Sequence, residues 1–384
     1  MIGYKSGVKR GRKQPLHVVL HVGAFKTGTS YVQNVLWEAR DQLARSGINF
    51  PGEKKWDDQI HAIRELQGMR AMGPRQQGGW DRLRTEVTEW AGPHAVLSME
   101  FMSFAKPQQA KRIVDELGNA DVDVVITARD LARVVPASWQ ERVKNGKTWS
   151  WPEFAAAVRD PDGRDVQPGK GFWVQQDLAS IARKWGRVVG DERVSFVTVP
   201  PSGSDPGLLL ERFGEAAHLD LSGVGTLPSW NNPSLGPSET EALRRLNAAL
   251  GRATKHHAWP VVVKRHLVRK VENRPTRPLR ITADDLAWIM PLQEQVAAEI
   301  TEGGWRVVGD IDDLVPRQPK VDSGPTDQTE EAAVAQALVD FAIVLTHRVL
   351  LKAGTPPKRK QVKALAGYLS GSEDELAALR LTEA

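Results

Sequence analysis

Apolar and polar positions alternate along this chain in two periods. Residues 16–22 (LHVVLHV) are an apolar, β-branched run of strand length, bounded by a glycine, and predict a buried strand. After the loop Gly23-Ala24-Phe25-Lys26-Thr27-Gly28-Thr29-Ser30, apolar residues recur at Tyr31, Val32, Val35 and Leu36, which is helical spacing. The alternation continues. An extended piece lies at 47–51, with helical segments at 57–70 and 79–91. A strand at 94–98 runs into Met99-Glu100, and a helix at 107–117 precedes a strand at 122–128. Helices at 136–145, 152–158 and 175–188 lead to a fourth strand at 193–199. Strands separated by helices require crossovers, so the pattern predicts an α/β fold with a mostly parallel sheet flanked by helices. Ligands in such sheets sit at the carboxyl ends of the strands. Those ends are the 23–30 loop, Ser98-Met99-Glu100 and Ala128-Arg129-Asp130, three polar groups expected on one edge.

From about residue 222 the pattern changes to a Pro-, Gly-, Ser- and Asn-rich loop. Ser238 and Glu241 have capping-box spacing before a helix at 239–250. A basic stretch at 264–280 precedes a helix that starts after Thr282, carries Asp284 and Asp285 in its first turn and runs to about 301. Residues 302–320 read as irregular, 330–352 as an amphipathic helix, and 373–380 as a short helix. The expected organisation is a disordered basic arm at 1–14, an α/β domain at 15–320, and a linker with a helical C-terminal extension at 321–384. The 330–352 helix serves either a second copy of the chain, as a homo-oligomer, or its own core; its spacing does not make it a membrane helix.

Composition narrows the classes. With 384 residues, 41% hydrophobic and 26% charged, most of the chain is expected to be globular. Having no cysteine excludes disulfides and thiolate metal sites. No leader-type apolar region follows the N-terminus, and the apolar runs are broken by charges such as Asp340, so a cytoplasmic protein without a membrane span is expected. Net charge is +5, and Lys5, Lys9, Arg10, Arg12 and Lys13 alone match that excess. The folded part is therefore near neutral, and a nucleic-acid partner is not expected.

The 23–30 loop carries the chemistry. Gly23 and Gly28 let the backbone bend and approach an anion, Lys26 brings a mobile charge, and Thr27, Thr29 and Ser30 bring hydroxyls. The loop has the Walker-type G-x-x-x-x-G spacing but not its Gly-Lys-Ser/Thr ending. The plain alternative is an ordinary strand-to-helix turn.

The string HVGAFKTGTS resembles the 5′-phosphosulfate-binding loop of the PAPS-dependent sulfotransferases, G-x-x-K-T-G-T-[ST]. It matches at Gly23, Lys26, Thr27, Gly28, Thr29 and Ser30. A second element of that family, a strand ending in Arg with a serine on the helix beyond, is similar to Ile126-Thr127-Ala128-Arg129-Asp130 followed by PASWQERVKNG. The family places that serine eight residues after the arginine. Here position 137 is alanine and the serine is Ser138. The resemblance covers roughly 16–220. It implies PAPS as co-substrate and PAP as product, with Lys26 at the leaving oxygen, Thr29 and Ser30 on the 5′-phosphate, Arg129 and Ser138 on the 3′-phosphate, and no metal site. These motifs point to the donor and the chemistry and not to the acceptor; a small molecule or glycan carrying a hydroxyl or amine is expected, such as a carbohydrate or glycolipid.

A hydroxyl acceptor benefits from a general base. Glu100 at the second strand end and His61 on a helical segment are the candidates. Against them stand a surface carboxylate and a partly exposed helix histidine. His21, inside the first strand, reads as a core histidine. Trp139, Trp149, Trp151 and Trp173 suit core packing, with an acceptor wall as alternative. Lys144 and Lys147 read as a solvated face. Two rival functions stay open: a P-loop nucleotide-dependent kinase, and a non-catalytic PAP- or anion-binding module.

Overall fold

The computed structural model describes residues 14–53, 57–69, 76–160, 162–225, 235–251, 259–268, 279–316 and 329–352. The chain divides into two compact units with interleaved segments. The first comprises Met1–Asp130, Val174–Ser229 and Gln293–Val315; the second comprises Leu131–Trp173, Trp230–Leu292 and Pro316–Ala384.

The first unit is built on a six-stranded, all-parallel sheet, and the fold is α/β. In chain order the elements are β1 (His17–His21), α1 (Thr29–Glu38), α2 (Arg40–Arg45), β2 (Ile48–Asn49), α3 (Asp57–Leu66), α4 (Gly79–Thr88) and β3 (His94–Ser98). A 3₁₀ turn (Glu100–Phe104), α5 (Pro107–Glu116) and β4 (Asp121–Ala128) follow. Beyond β4 come α6 (Leu131–Lys144), α7 (Trp151–Arg159), α8 (Gly169–Gln176), α9 (Leu178–Val189), β5 (Val194–Thr198) and α10 (Leu208–Ala216). Then come α11 (Pro237–Leu250), α12 (Trp259–Val262) continued by a π-helical turn (Val263–Val268), α13 (Ala283–Glu302), β6 (Arg306–Val308) and α14 (Glu331–Lys352).

Strand order is β2-β3-β1-β4-β5-β6. The chain moves to one side of β1 for β2 and β3, then crosses to the other side for β4. The carboxyl end of β1 is thus the point where winding reverses, the usual ligand position in an open parallel sheet. Both faces of the sheet are covered, which is why its strands read as unbroken apolar runs. Val18, Leu20, Ala95, Leu97, Val124, Ile126, Val194 and Phe196 belong to one buried cluster. Val19, Val96, Val125 and Val197, the alternate positions, belong to the other, with Val32, Val35 and Leu36 of α1.

The second unit packs α6 against α11 and α11 against α14. Its aromatic residues form a packed series. Trp139 meets Trp151 at 5.8 Å, Phe154 meets Phe172 at 6.1 Å, and Phe172 meets Trp173 at 5.1 Å. The indole N–H groups of Trp139 and Trp173 donate to the Trp149 and Val158 carbonyls at 2.8 and 3.0 Å, the core role expected for these residues.

Some local expectations differ. The segment read as irregular holds β6, a three-residue edge strand pairing with β5. The segment read as one helix at 175–188 is two, broken where the Asp177 carboxylate caps α9 by accepting from Ser180 N at 3.0 Å. Helix α11 starts at Pro237 with Gly236 as its cap; the Glu241 carboxylate is instead taken by Arg244 and Arg245 at 2.7–2.8 Å. Lys144 is buried rather than on a solvated face. Thr282 does cap α13, exchanging hydrogen bonds with Asp285 at 2.9 and 3.0 Å. The basic arm up to residue 13, most of the linker and the 373–380 segment lie outside the described residues. Among the described residues no helix is long and apolar enough to cross a membrane.

Candidate anion-binding site at the carboxyl edge of the sheet

The loop after β1 turns through three left-handed residues: Gly23 at φ 51°, Lys26 at φ 67° and Gly28 at φ 85°. Alternating backbone handedness of this kind points successive N–H groups into one concavity. The amides of Phe25, Thr27, Gly28, Thr29 and Ser30 donate to no backbone carbonyl among the described residues. Gly28 caps α1 without any side-chain bond, and no acidic residue lies in the first turn of α1. The loop therefore presents free donors and the positive end of a helix to an anion.

Glycine is required at both ends. A Cβ on Gly23 would stand 2.5 Å from Thr29 Oγ1, and one on Gly28 would stand 2.7 Å from Leu209 Cδ2. Lys26 carries the same backbone conformation with a Cβ, a strain of about 1–2 kcal/mol that the surrounding bonds must hold.

Those bonds form a chain whose direction can be deduced. Thr27 Oγ1 donates to the Ala24 carbonyl at 2.6 Å. Its 2.6 Å contact with Thr127 Oγ1 must then be donated by Thr127, whose oxygen is left to accept from His21 Nε2 at 3.4 Å. His21 Nδ1 accepts from Ser98 Oγ at 2.8 Å. The ends of β3, β1 and β4 are thereby tied to the loop in one relay. His21 is fully buried, and burial pulls its pKa down to about 3, so it stays neutral as this tautomer requires. It is the core histidine the strand pattern suggested.

Thr27 is fully buried with its hydroxyl committed inside the loop, so only its amide is left for a ligand. Thr29 is largely buried, with Oγ1 donating to Ala24 O at 3.4 Å, and Ser30 is half-buried. Arg129, at the end of β4, donates from Nη1 to the Lys26 carbonyl at 3.1 Å, which brings the two expected cationic residues together. Glu100 opens the 3₁₀ turn after β3, and its Oε2 accepts from Gln33 Nε2 at 3.4 Å. His61 is half-buried on α3, two residues beyond Gln59, which anchors that helix by accepting from Ser98 N at 2.8 Å. Ser138 belongs to the second unit, is 3% exposed on α6, and its hydroxyl has no partner among the described residues.

Two features escaped the sequence reading. The loop residue Phe25 stacks on Phe104 at 5.0 Å and meets Phe101 at 5.5 Å, so an aromatic cluster joins the loop to the Glu100 turn. The triplet Gly146-Lys147-Thr148 has the Walker-type ending. It follows the C-terminus of α6 instead of leading from a strand into a helix, and Lys147 Nζ lies 5.3 Å from the centre of the Trp149 ring.

No family model matches the chain, and no curated protein matches it. A solved structure described as a sulfotransferase from Alicyclobacillus acidocaldarius is similar at the level of a distant fold. Identity is 19%, TM-score 0.37, and the match covers 64% of this chain and 98% of that one.

Proposed function

We propose that this chain is a PAPS-dependent sulfotransferase, moving a sulfuryl group to a hydroxyl or amine of a small-molecule or glycan acceptor. One observation carries the reading: a glycine-flanked loop in which the amides of Phe25, Thr27, Gly28, Thr29 and Ser30 stand outside the described backbone network, with Lys26 in the same loop and Arg129 fastened to the Lys26 carbonyl.

In this reading the loop amides, with Thr29 and Ser30, bind the 5′-phosphate, and Arg129 binds the 3′-phosphate. The acceptor oxygen attacks sulfur in line with the bridging oxygen. The new O–S bond forms as the old S–O bond breaks, and Lys26 neutralises the charge left on the bisphosphate. Glu100 takes the acceptor's proton, with His61 as the other candidate. The products are the sulfate ester and PAP. The leaving group gains one negative charge, which a lysine and preorganised N–H groups stabilise directly, and holding both reactants in line supplies much of the rate.

Incubation with ³⁵S-labelled PAPS and a panel of phenols, alcohols, amines and glycans tests the reading. Label transfer with stoichiometric PAP supports it. PAP binding without transfer to any acceptor favours the non-catalytic module, and ATP-dependent phosphorylation favours the kinase.

A further inference from the structure

Ser98, the last residue of β3, is held at each of its polar groups by a fully buried side chain. Its N–H donates to Gln59 Oε1 at 2.8 Å, its hydroxyl donates to His21 Nδ1 at 2.8 Å, and its carbonyl accepts from Gln33 Nε2 at 2.8 Å. The partners come from α3, β1 and α1. Two residues further on stands Glu100, and the same Gln33 Nε2 reaches its Oε2 at 3.4 Å.

The orientation of the Gln33 amide is set by this arrangement. Both neighbours of Nε2 are acceptors, so a flipped amide would oppose oxygen to oxygen. Gln33 also lies one helical turn after Thr29, on the helix whose N-terminus is the anion loop. One helix therefore carries both the last two of the loop's amides, those of Thr29 and Ser30, and the donor that meets Glu100.

We infer that Gln33 is a positioning residue, which sets the Glu100 carboxylate in register with the anion loop. A glutamate side chain has several rotamers of similar energy, and a fixed donor selects one. Donation to a carboxylate also favours its ionised, proton-accepting form. The catalytic consequence rests on the reading of Glu100 as the base; the geometric coupling does not.

The test compares Gln33→Met, which keeps volume and removes the donor, with Gln33→Asn, which keeps the amide but falls one methylene short. Glu100→Gln and the Gln33→Met/Glu100→Gln double variant complete the set. Melting curves and adenosine 3′,5′-bisphosphate titration identify variants that remain folded. Gln33→Met is expected to lower kcat roughly tenfold, to leave the KM for PAPS within about twofold, and to move the acid limb of the pH–rate profile upward. It is expected to add nothing to the loss in Glu100→Gln. An unmoved acid limb, or losses that multiply in the double variant, overturns the inference while the base reading stands. Wild-type turnover in Glu100→Gln removes the base reading instead. The coupling is then read without activity, from ¹³C resonances of labelled glutamate assigned with Glu100→Gln. An upward shift of the Glu100 titration in Gln33→Met or Gln33→Asn supports the inference, and an unchanged midpoint in both overturns it.

Discussion

The Arg129 guanidinium donates from Nη1 to the carbonyl oxygen of Lys26 at 3.1 Å, across 103 positions of sequence. The strand order makes this contact. Because β4 lies beside β1, the residue after β4 emerges next to the loop after β1.

In the proposed reading Arg129 has two separable roles, support of the loop and a planar fork on the 3′-phosphate. Arg129→Lys keeps the charge and loses the planar fork. It is expected to weaken adenosine 3′,5′-bisphosphate at least about tenfold, the cost of one charged hydrogen bond, and to leave adenosine 5′-phosphate within about threefold. Equal losses for both nucleotides, measured by calorimetry, would assign Arg129 to loop support alone.

In the proposed reading Lys26 combines a charge at the leaving oxygen with a left-handed backbone. Lys26→Ala and Lys26→Gly are both expected to lower transfer by more than about 100-fold, since each removes the charge at the leaving oxygen. They should differ in stability. Glycine relieves the left-handed strain at φ 67°, so Lys26→Gly is expected to unfold about 1 kcal/mol later than Lys26→Ala in urea. Equal midpoints would show that the strain is absent in solution.

Gly28 meets two constraints, φ 85° and Leu209 Cδ2 at 2.7 Å from where a Cβ would stand. Gly28→Ala is expected to cost about 1–3 kcal/mol and to abolish bisphosphate binding. Adding Leu209→Ala relieves the clash and not the dihedral strain, so binding should remain lost. Recovery of affinity in the double variant would contradict a requirement for the left-handed turn.

Lys184 gives a pH dependence of known sign. It is half-buried, its Nζ donates to the Ser103 carbonyl at 2.5 Å, and burial lowers its pKa from 10.5 to about 8, opposed by Asp177. Between pH 8 and 10.5 the unfolded chain holds more of this proton than the folded one, so this group makes stability rise with pH across that window. Below pH 8 both states are protonated and its contribution is flat. Urea unfolding at pH 7, 9 and 10.5 should show a smaller rise in Lys184→Met than in the unaltered chain. Parallel curves would place the ammonium in water.

The sheet and the turn of the loop after β1 were legible in the sequence because both depend on short, contiguous signals. Strands β1, β3, β4 and β5 are buried on both faces and so read as apolar runs, while Gly23, Lys26 and Gly28 are fixed by local backbone geometry. Strand β6 was not legible, since three residues between Gly304 and Gly309 carry no usable period. The break at Asp177 was missed because the apolar spacing continues across the cap. Within the site, the neighbourhood of Lys26 and Arg129 followed from strand ends sharing an edge. The inward commitment of Thr27 did not, because the same hydroxyl suits a ligand or a carbonyl. Gln33 and Gln59 were invisible: a glutamine on an amphipathic helix looks like its solvent face until tertiary packing shows it fully buried.

The central claim is that the loop between β1 and α1 binds the phosphates of a 3′-phosphoadenylate without a metal-bound triphosphate. Calorimetric titration with adenosine 3′,5′-bisphosphate, and with ATP in the presence and absence of Mg²⁺, tests it most directly. Micromolar affinity for the bisphosphate, lost in Gly28→Ala, is expected, with no binding of ATP in either condition. Magnesium-dependent ATP binding, or no heat from the bisphosphate, would contradict it.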